Sequence, residues 1–272
     1  MGVQATRQTP HYRTLDQAAI KAAANDNRYT KIKEGTIMHR VYAVALMVSI
    51  AMPAWAVDIG IVNPNQDAFR GASEDLAAAF SYKALNPTEP LGITGFNIGV
   101  IGSYTSVDNE QAFEDLIGTP VDHLATAGVS LTKGLPLGFD IGAFYTQDLT
   151  SSVALYGAEL RYAFVPGNVV LPAFGVRLAG TKLNGINRFS METLSVDISA
   201  SKGFAFITPY VGVGQVFGFS SPDASTRLED EDVRETRVFG GARLSLLPFQ
   251  LTGEVDNVGG ATSINLRLAI GL

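Results

Sequence analysis

Cysteine is absent from this chain of 272 residues. That excludes a disulfide framework, a thiol nucleophile and a lipid anchor attached to an N-terminal cysteine. Tryptophan occurs once, at Trp55, and histidine only at His11, His39 and His123. Beyond residue 56 only His123 remains, so the body of the chain has no set of histidines for a zinc or iron site. Clustered basic residues are missing too, which argues against nucleic acid as a partner. No phosphate-cradling loop or dinucleotide fingerprint occurs. Long hydrophobic runs are also lacking: Val41–Met52 falls short of the roughly 20 residues that a membrane-crossing helix needs.

That short run has another use. Met38-His39-Arg40 is a basic start, Val41 to Met52 an apolar stretch, and Ala54-Trp55-Ala56 an A-x-A cleavage box, the three parts of a secretory signal peptide. Cleavage after Ala56 is expected, giving a mature start at Val57. Residues 1–37 are then an over-long start or a disordered upstream extension; Lys33-Glu34-Gly35 is codable by a ribosome-binding sequence placed just before Met38. Without residues 1–56 the net charge falls from −6 to about −10.

From Val57 to Leu272 the pattern is alternation. Segments of apolar and polar residues in turn are punctuated by Gly, Pro, Asn and Asp, the mark of an all-β chain. In Ile264-Asn265-Leu266-Arg267-Leu268-Ala269-Ile270 every even position is apolar. Such a strand presents one face to lipid and one to a lumen, as the last strand of an outer-membrane barrel does. The final residue of that class is usually aromatic, and here it is Leu272. The same period sends Arg237 and Arg243 inward beneath Val238, Ala242, Leu244 and Leu246, and Asp197 inward beneath Val196 and Ile198. A charge at the bilayer midplane costs about 2–4 kcal/mol on a barrel surface, and this decides the orientation.

The fold expected is an antiparallel transmembrane β-barrel of 10 to 12 strands occupying residues 57–272. Tight connections at Gly134-Leu135-Pro136, Val165 to Asn168 and Leu247-Pro248 alternate with longer ones at Asp108–Pro120, Leu183–Arg188, Ser220–Glu235 and Asn257–Ala261. Short turns belong on the periplasmic side and long loops outside. Leu76–Leu85 looks like a further strand and breaks the parity. Either residues 57–63 add one more strand, or residues 57–90 fold partly within the lumen; Asp67–Ala79 also fits the start of an amphipathic helix.

Several stretches carry a family resemblance. They are Ser73-Glu74-Asp75-Leu76 with Ser81-Tyr82-Lys83-Ala84, Pro90-Leu91-Gly92-Ile93-Thr94-Gly95-Phe96, Lys133 to Gly142, and Ser201-Lys202-Gly203-Phe204 with Thr208-Pro209-Tyr210. Together they resemble an uncharacterised family of outer-membrane β-barrel proteins of Gram-negative bacteria. The resemblance implies location and fold, and brings no catalytic residue or substrate.

Three groups of residues are candidates for function. The first is an inward charged network of Lys83, Asp140, Glu159, Arg161, Arg177, Asp197, Arg243, Glu254, Asp256 and Arg267. It is either the wall of a narrow channel for small solutes or a set of ion pairs filling the barrel. The second is the acidic run Asp223, Glu229, Asp230, Glu231 and Asp232, either a solvated loop or a bridge to lipopolysaccharide through divalent cations. The third is a set of aromatics at strand ends, Tyr82, Tyr104, Tyr145, Tyr162, Phe164, Tyr210 and Phe249, expected to form interfacial girdles. His123, beside Asp122 on an outward face, reads as an interfacial anchor, and no catalytic site is expected. No cofactor is expected, and the partners expected of a monomer are outer-membrane lipid, lipopolysaccharide and the barrel assembly machinery. The functional expectation is passage of small solutes. The alternatives are a non-conducting structural or interaction barrel, and a soluble barrel with a small apolar ligand inside.

Overall fold

The computed structural model of the chain describes residues 61–271, with 150, 152 and 186–188 excepted. The expected signal peptide, the upstream extension and Leu272 lie outside the described residues. Ten antiparallel strands close into one barrel. In chain order they are β1 (Phe96–Ser106), β2 (His123–Gly134), β3 (Phe139–Asp148), β4 (Ala154–Val165), β5 (Ala173–Asn184), β6 (Phe189–Ser201), β7 (Ile207–Pro222), β8 (Glu231–Leu246), β9 (Phe249–Val258) and β10 (Ala261–Gly271). Neighbours in sequence pair with each other, and β1 meets β10 from Asn97↔Gly271 to Thr105↔Ser263, so no strand edge is left open.

The period of two does what the sequence dictates. Along β10, Asn265 is 0% and Arg267 2% exposed while Leu266 between them is 57% exposed. Leu160, Leu178, Val196, Val213, Leu251 and Leu268 likewise present their side chains on the outside. An apolar exterior around a charged interior is the inverse of a soluble barrel, so the soluble alternative is overturned. This is a transmembrane β-barrel.

One expected strand is corrected. Leu76–Leu85 is not extended: residues Gln66–Phe80 form helix α1, capped by Asn65, whose side chain accepts from the Ala68 N–H at 3.2 Å. Leu76 and Phe80 satisfy a spacing of four as readily as a period of two, and the alanines at 77–79 favour helix. Parity is thereby restored at ten. Residues 61–63 are not strand either, and the chain from Ser81 to Gly95 runs as irregular backbone through the barrel.

A second helix, α2 (Glu110–Ile117), sits in the long β1–β2 connection. Phe69, Ala72 and Leu76 of α1 pack with Phe113 and Leu116 of α2, closing the end of the barrel that carries this connection, here the loop end. The loop-end connections differ from expectation in length. Strands β7 and β8 stay paired out to Ser220↔Glu231, so Glu231 and Asp232 are strand residues and the β7–β8 loop is only 223–230. Cross-strand contacts hold this extension: Arg234 Nε donates to Gln215 Oε1 at 3.0 Å and the guanidinium lies 5.5 Å from the Phe217 ring. The β9–β10 connection is a tight hairpin through Gly259 and Gly260, and on the opposite, turn end β4 and β5 part for residues 166–172.

Candidate functional site

The lumen is occupied by the chain itself. From α1 at the loop end, residues 81–95 descend to the turn end, where β1 begins. Pro87 and Pro90 lack N–H donors and cannot sustain a ladder, so the segment binds the wall through side chains instead. Its contacts follow its descent. Lys83 Nζ donates to Ser263 Oγ at 2.9 Å and pairs with Asp256 at 3.4 Å. The Leu85 N–H donates to Glu254 Oε2 at 2.9 Å. Arg267 reaches Asn86 Oδ1 at 2.9 Å, and Arg161 reaches the Pro87 carbonyl at 2.9 Å. Thr88 bonds Ser199 at 2.8 Å, the Glu89 N–H donates to Ser201 Oγ at 3.2 Å, and the Leu91 N–H donates to Asp140 Oδ1 at 3.0 Å.

The wall supplies a chain of alternating charge around this plug. Asp140 and Arg161 face each other in register across β3 and β4 and pair at 2.8 Å. Glu159 stands 3.6 Å from Arg161 and 4.0 Å from Arg177. Arg177 pairs with Asp197, opposite it in register across β5 and β6. Asp197 is 4.0 Å from Arg237, which reaches Asp256 at 3.1 Å and Glu254 at 3.7 Å. Arg161 and Arg177 are direct cross-strand neighbours of like sign, and the carboxylates of Glu159 and Asp197 make that placement tolerable. Near the turn end Arg243 faces Glu89 of the plug at 4.0 Å.

All ten residues expected in the network therefore lie within the barrel, and the barrel brings them together. The sequence list omitted its centre. Arg237 is wholly buried, donates to the Tyr82 carbonyl at 2.6 Å and lies 5.0 Å from the Phe239 ring. Asn97 and Asn265 also join: Asn265 bonds Asp256 at 3.0 Å, and Asn97 accepts from Arg267. Two expected girdle residues are corrected. Tyr210 is buried and donates to Glu254 Oε2 at 2.9 Å; Tyr82 is buried against Phe144, with Arg177 5.7 Å from its ring. The signal for Tyr210 was present, because the outward-facing Val211 puts its neighbour on the inner face. The other five aromatics, Tyr104, Tyr145, Tyr162, Phe164 and Phe249, are exposed as a girdle requires.

The space left in the lumen is small. One cavity of about 30 Å³ is lined by Tyr82, Phe144, Leu155 and Arg267, and another of about 20 Å³ by Pro87, Arg161, Arg177 and Phe239. Either suffices for single water molecules only.

Three of the acidic residues at the loop end are held by neighbours, two of them by the same glutamine. Asp223 Oδ1 accepts from the Ser225 N–H at 2.8 Å, the Glu229 N–H donates to Gln66 Oε1 at 3.0 Å, and Glu231 meets Gln66 Nε2 at 2.5 Å and Arg70 at 3.8 Å. Among the described residues no group of three or more His, Cys, Asp or Glu is arranged to hold a metal ion. His123 begins β2 at the loop end, its Nδ1 2.6 Å from Asp122 and its ring stacked on Tyr104 at 5.0 Å.

No family model matches the chain, and no curated protein is significantly similar to it. Among solved structures it is similar to outer-membrane β-barrel proteins. The KdgM porin shares 8% identity over 64% of this chain and 98% of that one, with a TM-score of 0.34. LpxR from Salmonella typhimurium shares 9% over 63% and 99%, with a TM-score of 0.35. OmpT, an outer membrane protein of Vibrio cholerae, in a loop-deleted form shares 12% over 55% of this chain, which spans 54% of that one, with a TM-score of 0.31.

Proposed function

We propose that the protein is an outer-membrane barrel of a Gram-negative bacterium that its own N-terminal segment holds shut, a non-conducting envelope barrel whose working surface is its loop end. The observation that supports this most directly is the plug: residues 81–95 occupy the full height of the lumen and are bonded to the wall at every level from Asp256 to Asp140. Hydrogen bonds to charged groups are worth about 1.5–3 kcal/mol each. With several acting together, a spontaneously opened state is a small minority. The outer-membrane location draws on the apolar outer band, its exposed aromatics and the signal peptide read at residues 38–56.

Solute passage after withdrawal of the plug is the second reading. It is favoured by the way the plug is held, through side chains rather than sheet pairing, so that it can leave without opening the barrel. Planar bilayer recordings separate the two. The wild-type protein is expected to give no stable conductance, whereas a Glu254→Gln, Asp140→Asn double variant, which weakens the anchors of the Leu85 and Leu91 N–H groups, should give brief openings. A steady channel in the wild type would refute closure. Fractionation, with heated and unheated gel mobility, tests the location.

A further inference from the structure

At the loop end, between α1, α2 and the inner wall, lies a cavity of about 130 Å³, several times either luminal void. Its lining is mostly apolar, with Phe69, Leu76, Phe113, Leu116, Leu124 and Phe189 the main contributors. An engineered apolar cavity of about 150 Å³ stays dry and admits benzene, so a space of this size takes a few carbon atoms. Apolar space left unfilled among packed elements is destabilising, and an apolar guest removes that cost. A second cavity at this end, of about 170 Å³, is lined by Glu74, Asp75, Asp108 and Glu235, so what sets the first apart is its apolar lining.

Its position indicates the source of the guest. His123 contributes to the lining, and on the outer face of the wall its ring stacks on Tyr104, an exposed residue of β1. The cavity thus lies directly behind the exposed aromatic pair at the loop-end rim of the barrel. Aromatic and histidine side chains at that level sit beside lipid headgroups, from which an acyl chain has only a short way to go.

We propose that this cavity is a binding site for the end of an acyl chain, supplied by a membrane lipid at the barrel rim. Only the source of the chain rests on the outer-membrane reading; the capacity of the cavity does not. The occupant is a hydrocarbon terminus rather than a headgroup, because the lining offers it apolar surface and the volume excludes a sugar or phosphate with its hydration shell.

The test uses the full chain, exported and purified, in vesicles containing a phosphatidylcholine with a diazirine at the end of one acyl chain. After photolysis, cross-links are mapped by mass spectrometry. Labelling within α1 and α2, at Leu76, Phe113 or Leu116, is expected alongside labelling of the outer wall at residues such as Leu266. Ala72→Phe and, separately, Leu124→Trp fill the space and should cut the α1 and α2 labelling at least tenfold while wall labelling persists. Wall labelling alone in the wild type would overturn the site. Absence of wall labelling would instead overturn the membrane reading. A parallel arm with a free diazirine fatty acid separates the sources: labelling of α1 and α2 by the free acid but not by the lipid keeps the acyl site and overturns its supply from the bilayer. Unchanged helix labelling in both filled variants would also overturn the proposal.

Discussion

The guanidinium of Arg237, on β8, donates from Nη1 to the backbone carbonyl of Tyr82 at 2.6 Å and so ties the barrel wall to the plug across 155 positions of sequence. The same group faces Asp256 at 3.1 Å and Glu254 at 3.7 Å, so one side chain answers a plug carbonyl and two wall carboxylates.

Replacing Arg237 by alanine leaves those acceptors buried together without their cation. Breaking a buried ion pair from one side costs about 3–5 kcal/mol. The expected outcome is a marked fall in the urea midpoint of unfolding in lipid vesicles. Arg237→Lys should recover only part of it, because an ammonium cannot reproduce the fork of donors. A midpoint equal to that of the wild type would contradict the central place given to this residue.

Tyr210→Phe removes the hydroxyl that donates to Glu254. A hydrogen bond to a charged group is worth about 1.5–3 kcal/mol, and the variant should lose stability on that scale. Tyr145→Phe, on the exposed girdle, should lose far less. Equal losses in equilibrium unfolding would return Tyr210 to the girdle.

Leu266 lies halfway along β10 with its side chain outward, and Thr262 lies near the loop end of the same strand. Leu266→Arg should cost about 2–4 kcal/mol and Thr262→Arg about 0–1, because the penalty for charge falls off from the midplane to the interface. Folding yields into vesicles measure both. If the two arginines prove equally harmless, the outer face does not meet hydrocarbon.

Asp75 of α1 accepts from the backbone N–H groups of Asp108 at 3.0 Å and Asn109 at 2.8 Å, pinning α1 to the β1–β2 connection. Burial pushes its carboxyl above the usual carboxylate value, against the lowering effect of those two bonds. The folded state therefore holds this proton more tightly than the unfolded state does. The associated stability is fully present below the ordinary carboxylate pKa and is lost as the pH rises through the raised one. The stability difference between the wild type and Asp75→Asn should follow this course through the mildly acidic range, in favour of the wild type at the acid end. A difference that runs the other way, or does not vary with pH, would count against it.

Much of the barrel was legible because its physics is local. A period of two, read against the cost of a charge in hydrocarbon, sorts Asn265, Leu266 and Arg267 onto opposite faces with no knowledge of their neighbours. The same rule put nine of the ten network residues inside, whereas Lys83 lies there on the irregular plug and not on a strand. It failed where two periods coincide: Leu76 and Phe80 fit strand and helix equally, and only the need to close an even-stranded barrel, together with the docking of α1 on α2, selects the helix. It was set aside at Tyr210, where a preference for tyrosine at interfaces outweighed the parity given by Val211.

What the sequence determined by itself, then, is which side of each strand meets lipid, since that depends on residue type and alternation alone. The tertiary structure decided who meets whom. Arg237 finds Tyr82, Glu254 finds both Tyr210 and the Leu85 N–H, and residues 81–95 find the lumen because the closed wall brings distant carboxylates and guanidinium groups within bonding range of one irregular segment. Pairing of that kind is set by the circumference and stagger of the closed sheet, quantities that no single strand carries.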